Sequence, residues 1–233
     1  MSDLNSFGFG QTGSVANAQV RNRVLRNTYA LLALSMVPTV IGAWLGVAMG
    51  FRLFEGSPFM GFIVFMAVAF GFFWAIDRNK DSGLGVVLLL AFTLFMGVML
   101  SRLVGYTLGT YSNGATLIMG AFGGTALIFT VMASIATVSK RDFTSMGKFL
   151  MIGVILLIVA SLANIWLQMP ALMLTLMVLA IAIFSAFILV DVQRVVNGGE
   201  TNYVMATLAI YLNIYNIFTN LLALFGIMGG DRD

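Results

Sequence analysis

Residues 203–228 read YVMATLAIYLNIYNIFTNLLALFGIM, and the fold turns on this stretch. It carries no charged side chain over a length that, as a helix, reaches about 39 Å, enough to cross a hydrocarbon core of about 30 Å. It also carries Thr207, Tyr211, Asn213, Tyr215, Asn216, Thr219 and Asn220, which at 100° per residue spread over roughly two thirds of the helix circumference. Each unpaired amide or hydroxyl is costly in hydrocarbon. The segment is therefore expected at the centre of a bundle, enclosed by other helices.

The rest of the 233-residue chain supplies those helices. It is 60% hydrophobic and 9% charged, with a mean hydropathy of +1.01, against roughly 25% charged in soluble domains. Further apolar spans are expected at about Thr28 to Met49, Pro58 to Ile76, Gly83 to Ser101, Ala115 to Val138, Phe149 to Leu167 and Pro170 to Val190. The fold class is thus an all-α membrane protein, a seven-transmembrane-helix bundle with the last helix at its centre. Residues 1–20, rich in Gly, Ser, Asn and Gln, are expected to form a disordered cytoplasmic tail, and 21–233 the transmembrane domain. No cleavable signal peptide is apparent.

Lys and Arg in alternate connections set the orientation, because cytoplasmic loops hold the excess. Arg21, Arg23, Arg26, Arg78, Lys80, Lys140, Arg141, Lys148 and Arg194 fall on one side, and Arg52, Arg102 and Arg232 on the other. The N-terminus is expected in the cytoplasm. The tail Asp231-Arg232-Asp233 leaves open whether the last segment spans or re-enters. Trp44, Trp74 and Trp166 fall near span ends, where amphipathic rings settle.

With no Cys and no His, thiol catalysis, disulfides, His/Cys zinc sites and His-based triads are excluded. An aspartyl intramembrane protease needs two embedded carboxylates, and Asp191 stands alone against the spans. No enzymatic activity and no cofactor are expected. The dispersed basic residues do not form a nucleic-acid stripe.

Asp191 is then the candidate functional residue, since a charge near hydrocarbon normally faces the bundle interior. It has three readings: an ion pair with Arg194 at i+3, a gating or ion-sensing latch, or a weak cation site shared with the amide of Asn213. Arg78 either reaches Asp191 or snorkels to the headgroups. Gly42, Gly46 and Gly50 on the first span, and Gly120 and Gly124 on the fourth, have the four-residue spacing that allows close helix approach. They serve either plain packing or a sliding interface. Gly198 to Tyr203 suits a tight loop, with Thr201 or Asn202 capping the last helix.

The pattern Phe184-Ser185-Ala186-Phe187-Ile188-Leu189-Val190-Asp191 resembles the sixth-helix signature of the Bax inhibitor-1 family of membrane proteins. Tyr211-Leu212-Asn213-Ile214-Tyr215-Asn216-Ile217-Phe218, with Asn220-Leu221-Leu222 and Phe225-Gly226, resembles its last helix, and Gly123-Gly124-Thr125-Ala126 also fits. Val24 to Tyr29, Gly198 to Tyr203 and Tyr215 to Phe218 point to the bacterial YccA branch. The resemblance implies an inner-membrane protein that modulates the FtsH protease complex through direct interaction. The alternative it carries is a pH-sensitive calcium or cation leak channel or transporter through the bundle centre, with Ca²⁺ or protons as the ions. Leak members of the family are expected to hold their cytoplasmic side closed with two proton-sharing aspartates and an Arg on the second helix. Asp191 matches the first aspartate, Asn213 occupies the place of the second, and Arg78 matches the Arg approximately. An amide beside one carboxylate cannot share a proton as two carboxylates do, which favours the protease-modulator reading.

Overall fold

A computed structural model describes residues 8–51 and 58–231, with side chains over 19–51 and 60–231. Arg52, Arg232, Asp233 and most of the expected tail's side chains lie outside the described residues. The elements are α1 (Gly8–Ala48), α2 (Pro58–Asn79), α3 (Gly83–Thr110), α4 (Gly114–Val138), α5 (Met146–Leu167), α6 (Pro170–Val196) and α7 (Tyr203–Gly229). All seven are long and apolar enough to cross a membrane, and no strand occurs among the described residues. The chain is an all-α membrane bundle.

Several helices outrun their apolar runs. α1 starts at Gly8, inside the stretch expected as a tail, and α3 continues past Arg102 to Thr110. Extending a nucleated helix gains one hydrogen bond per residue, and polar side chains at its ends lie beyond the hydrocarbon. Local chemistry sets the turns: Asn164 Oδ1 accepts from the Met169 N–H at 3.1 Å, and Pro170 opens α6 with its fixed φ.

Two polar clasps hold α7 as one continuous helix along the whole length of α3. At its start Asn202 Oδ1 accepts from the N–H groups of Val204 and Met205, while its Nδ2 donates to the Lys80 carbonyl and to Asp81 in the α2–α3 turn. At its end Asn113, in the α3–α4 turn, donates to the Gly229 carbonyl at 2.7 Å and accepts from the Asp231 N–H. The helix is thus held at both ends of α3.

From Asn202 to Gly226 no residue of this segment is exposed, and α7 touches α1, α2, α3, α4 and α6. α5 touches α6 alone. Tyr211 fills the middle with Phe72, Phe73, Phe92 and Phe95, whose rings meet edge-on, tilted or stacked. Trp44, Trp74 and Trp166 are all exposed on the outside.

α1 and α3 approach most closely. A Cβ at Gly42 would overlap the Leu94 carbonyl, and one at Gly46 the Ser101 side chain. One at Gly97 would overlap the Thr39 carbonyl. On the other side a Cβ at Gly120 would lie 3.5 Å from the Phe225 ring and one at Gly124 3.3 Å from Leu221. Gly50 does not share this packing: it ends α1 in a turn at φ +59° with open space around it, a conformation that favours glycine.

Candidate functional site

Polar side chains within the bundle find partners one by one. Pro38 interrupts the α1 ladder, and nearby the Ser35 and Thr39 hydroxyls donate to the Leu31 and Ser35 carbonyls. The Thr39 hydroxyl also meets the Tyr211 hydroxyl at 2.9 Å, and Tyr215 donates to the Met96 carbonyl at 3.3 Å. Thr207 bonds the Tyr203 carbonyl and reaches the Thr28 carbonyl of α1. No buried side-chain polar atom lacks a partner among the described residues.

Against that background Asp191 and Asn213 are brought together. Asp191 lies one and a half turns before the end of α6, with 13% of its side chain exposed. Asn213 is buried on α7 and donates Nδ2–H to Asp191 Oδ2 at 2.8 Å. The other carboxylate oxygen faces Arg194 Nη1 at 3.9 Å, but half of the Arg194 side chain is exposed. A carboxylate only accepts when ionised, so the amide turns its NH₂ toward it and its carbonyl oxygen away. Among the described residues no group of three or more His, Cys, Asp or Glu is placed to hold a metal.

Arg78 is not part of this cluster. Its guanidinium lies 5.7 Å from the centroid of the exposed Trp74 ring, a cation–π arrangement at the end of α2. The neighbouring Lys80 pairs with Asp77 at 2.9 Å, and that hydrogen bond pushes the Lys80 ammonium above its ordinary pKa.

Gln193, two residues beyond Asp191, is the side chain that sequence reasoning missed. It is 2% exposed; its Nε2 donates to the Arg141 carbonyl at 2.6 Å and its Oε1 accepts from the Phe143 N–H at 2.5 Å. Both backbone polarities of the α4–α5 loop are thereby pinned to α6. The signal was a lone amide on the apolar face that also holds Leu189 and Val190, four and three residues earlier. In the pinned loop, hydrogen bonds from the Thr144 side chain and backbone hold the Asp142 carboxyl below the usual range.

The same end of the bundle collects the basic segments. Val24, near Arg21 to Arg26, packs with Val195 and Ala206. Asn202 reaches Lys80, and Gln193 reaches Arg141. The Asp191–Asn213 bond thus joins α6 to α7 inside the bundle, on the half of α7 nearer this basic end.

Comparison with known proteins places the chain. The family model described as inhibitor of apoptosis-promoting Bax1 matches residues 21–230. An uncharacterized membrane protein of Vibrio cholerae is 35% identical over 98% of this chain and 100% of its own length. A relative from Neisseria meningitidis is 35% identical over 93% of this chain and 96% of that one. The Escherichia coli protein named modulator of FtsH protease YccA is 34% identical over 90% of this chain and 92% of its own. A seven-helix chain matched by the family model over nearly its whole length, and 34–35% identical to these relatives over nine tenths or more of its residues, belongs to the Bax inhibitor-1 family.

Proposed function

We propose that this chain is a multi-pass inner-membrane protein that binds the FtsH protease complex within the membrane and modulates its degradation of membrane proteins. The observation that carries this reading is the 34% identity, over nine tenths of both chains, to the protein named modulator of FtsH protease YccA. The residue inventory agrees with a role in binding: Asp191 faces an amide and an arginine, neither of which completes an aspartyl dyad. The gathered basic end is assigned to the cytoplasm by the excess of Lys and Arg, with the N-terminus there too. α7 is read as the axis of the bundle, and Asp191 with Asn213 as a latch that fixes α6 against it.

The latch geometry also bears on the cation-leak alternative. A carboxylate bonded to an amide has no second carboxylate with which to exchange a proton, so pH-gated leak is the weaker reading. The test is co-purification of the tagged chain from native membranes with identification of its partners. Recovery of the FtsH complex above an unrelated seven-span control is the expected result, and recovery equal to the control counts against it.

A further inference from the structure

α5 touches neither α7 nor α2, and the gap between them holds a cavity of about 650 Å³ walled by α2, α5, α6 and α7. Most of its lining is apolar, with Phe62 on the α2 side and Ile158 on the α5 side, both about half exposed. Four polar residues also line it: Ser161, Asn164, Asn216 and Asn220. Asn216 lies at the midpoint of α7, so its amide is at the depth where polar groups cost most. Asn216 donates one N–H to the Leu212 carbonyl and Asn220 one to the Asn216 carbonyl. Each amide retains a second N–H and a carbonyl oxygen for whatever fills the cavity.

We propose that this lateral cavity binds a neutral, single-chain lipid-soluble molecule, its carbonyl- or hydroxyl-bearing head on the Asn216 and Asn220 amides and its apolar chain leaving between α2 and α5. An apolar transmembrane helix packed there would leave the remaining N–H and carbonyl oxygen of the Asn216 and Asn220 amides without partners. The cavity matches the roughly 300–1,000 Å³ of small-molecule sites, which are apolar with a few placed polar groups. No charged side chain lines it, so a fatty-acid carboxylate has no counter-charge. A phospholipid headgroup belongs at the interface and does not descend to the midpoint of α7. The inference stands apart from the protease reading and does not depend on it.

The test uses the full chain in phosphatidylcholine liposomes with two photoreactive probes, a long-chain fatty amide and a phosphatidylcholine carrying the same diazirine chain. Labelling of the cavity wall by the amide probe should saturate and be displaced by unlabelled fatty amide. It should fall about fivefold in Asn216→Ala, the loss of roughly one hydrogen bond, and fall as well in Ile158→Trp. The latter blocks the mouth from an exposed position and serves even where Asn216→Ala does not fold. Labelling that does not saturate, equal labelling by the phosphatidylcholine probe, or labelling unchanged in the folded variants would overturn the proposal.

Discussion

Asn213 on α7 donates to Asp191 on α6 at 2.8 Å, whereas Arg194, on the carboxylate's own helix, stands 3.9 Å away and half in solvent. The interhelical bond therefore outweighs the ion pair. Asn213→Leu should destabilise the bundle by about 1–2 kcal/mol, while Arg194→Ala should change it by under about 1 kcal/mol. Thermal unfolding in detergent compares the two. A larger loss for Arg194→Ala would reverse this ranking.

Asn213→Asp places a second carboxylate against the first. Two acids at this distance compete for one proton, and a pH response should appear between about pH 5 and 8. Calcium flux into liposomes, measured for both versions across that range, checks the prediction. Strong pH-dependent leak by the unchanged chain would mean that the second carboxylate is unnecessary, and the channel reading would then replace the modulator.

The glycines separate by cause. Gly42→Val and Gly97→Val push a side chain into the facing backbone of the α1–α3 contact and should each cost upward of about 3 kcal/mol. Gly124→Ala meets only the flexible Leu221 side chain and should cost under about 1 kcal/mol. Similar unfolding temperatures for all three would remove close backbone approach as the explanation.

Gln193→Leu leaves the Arg141 carbonyl and Phe143 N–H without their partners and should loosen the α4–α5 loop. Faster hydrogen exchange at 141–145, with α7 unchanged, is the expected readout. The loop has an acid-side sensitivity as well. Asp142 has a depressed pKa in the folded state, so its hydrogen bonds contribute above the ordinary carboxylate range and are lost as pH falls through that lower value. Protection at Thr144 should weaken in acid, and Asp142→Asn should abolish that dependence.

Topology is tested with single cysteines at positions 26 and 140, a clean measurement in a chain with no native Cys. Both should be labelled from the cytoplasmic side. Opposite accessibility would contradict the gathering of Val24, Asn202 and Gln193 at one end.

Much of this was legible in residues whose chemistry is local. Apolar runs locate seven helices because hydrocarbon admits little else, and the polar arc of residues 203–228 marks the helix with no exposed residue up to Gly226. Asp191 and Asn213 stand out as polar groups too costly to leave unpaired. Features made by two distant segments were not legible. Gly97 looks like any helical glycine until Thr39 lies against it, and Gln193 shows its role only once the Arg141 loop folds over it. Arg78 had two destinations open to a long side chain, and its guanidinium lies over the Trp74 ring one turn earlier on α2, a contact that neither reading named. Spacing grouped Gly50 with Gly42 and Gly46, but its left-handed φ shows the helix already over.

Co-reconstitution of purified FtsH and this chain in one set of liposomes is the most direct measurement of the proposed modulation. The rate at which FtsH degrades an unstable membrane protein is read with the chain present, absent, or replaced by an unrelated seven-span bundle. A change in that rate specific to this chain and saturating with its amount is the predicted result; equal rates in all three preparations would contradict direct modulation.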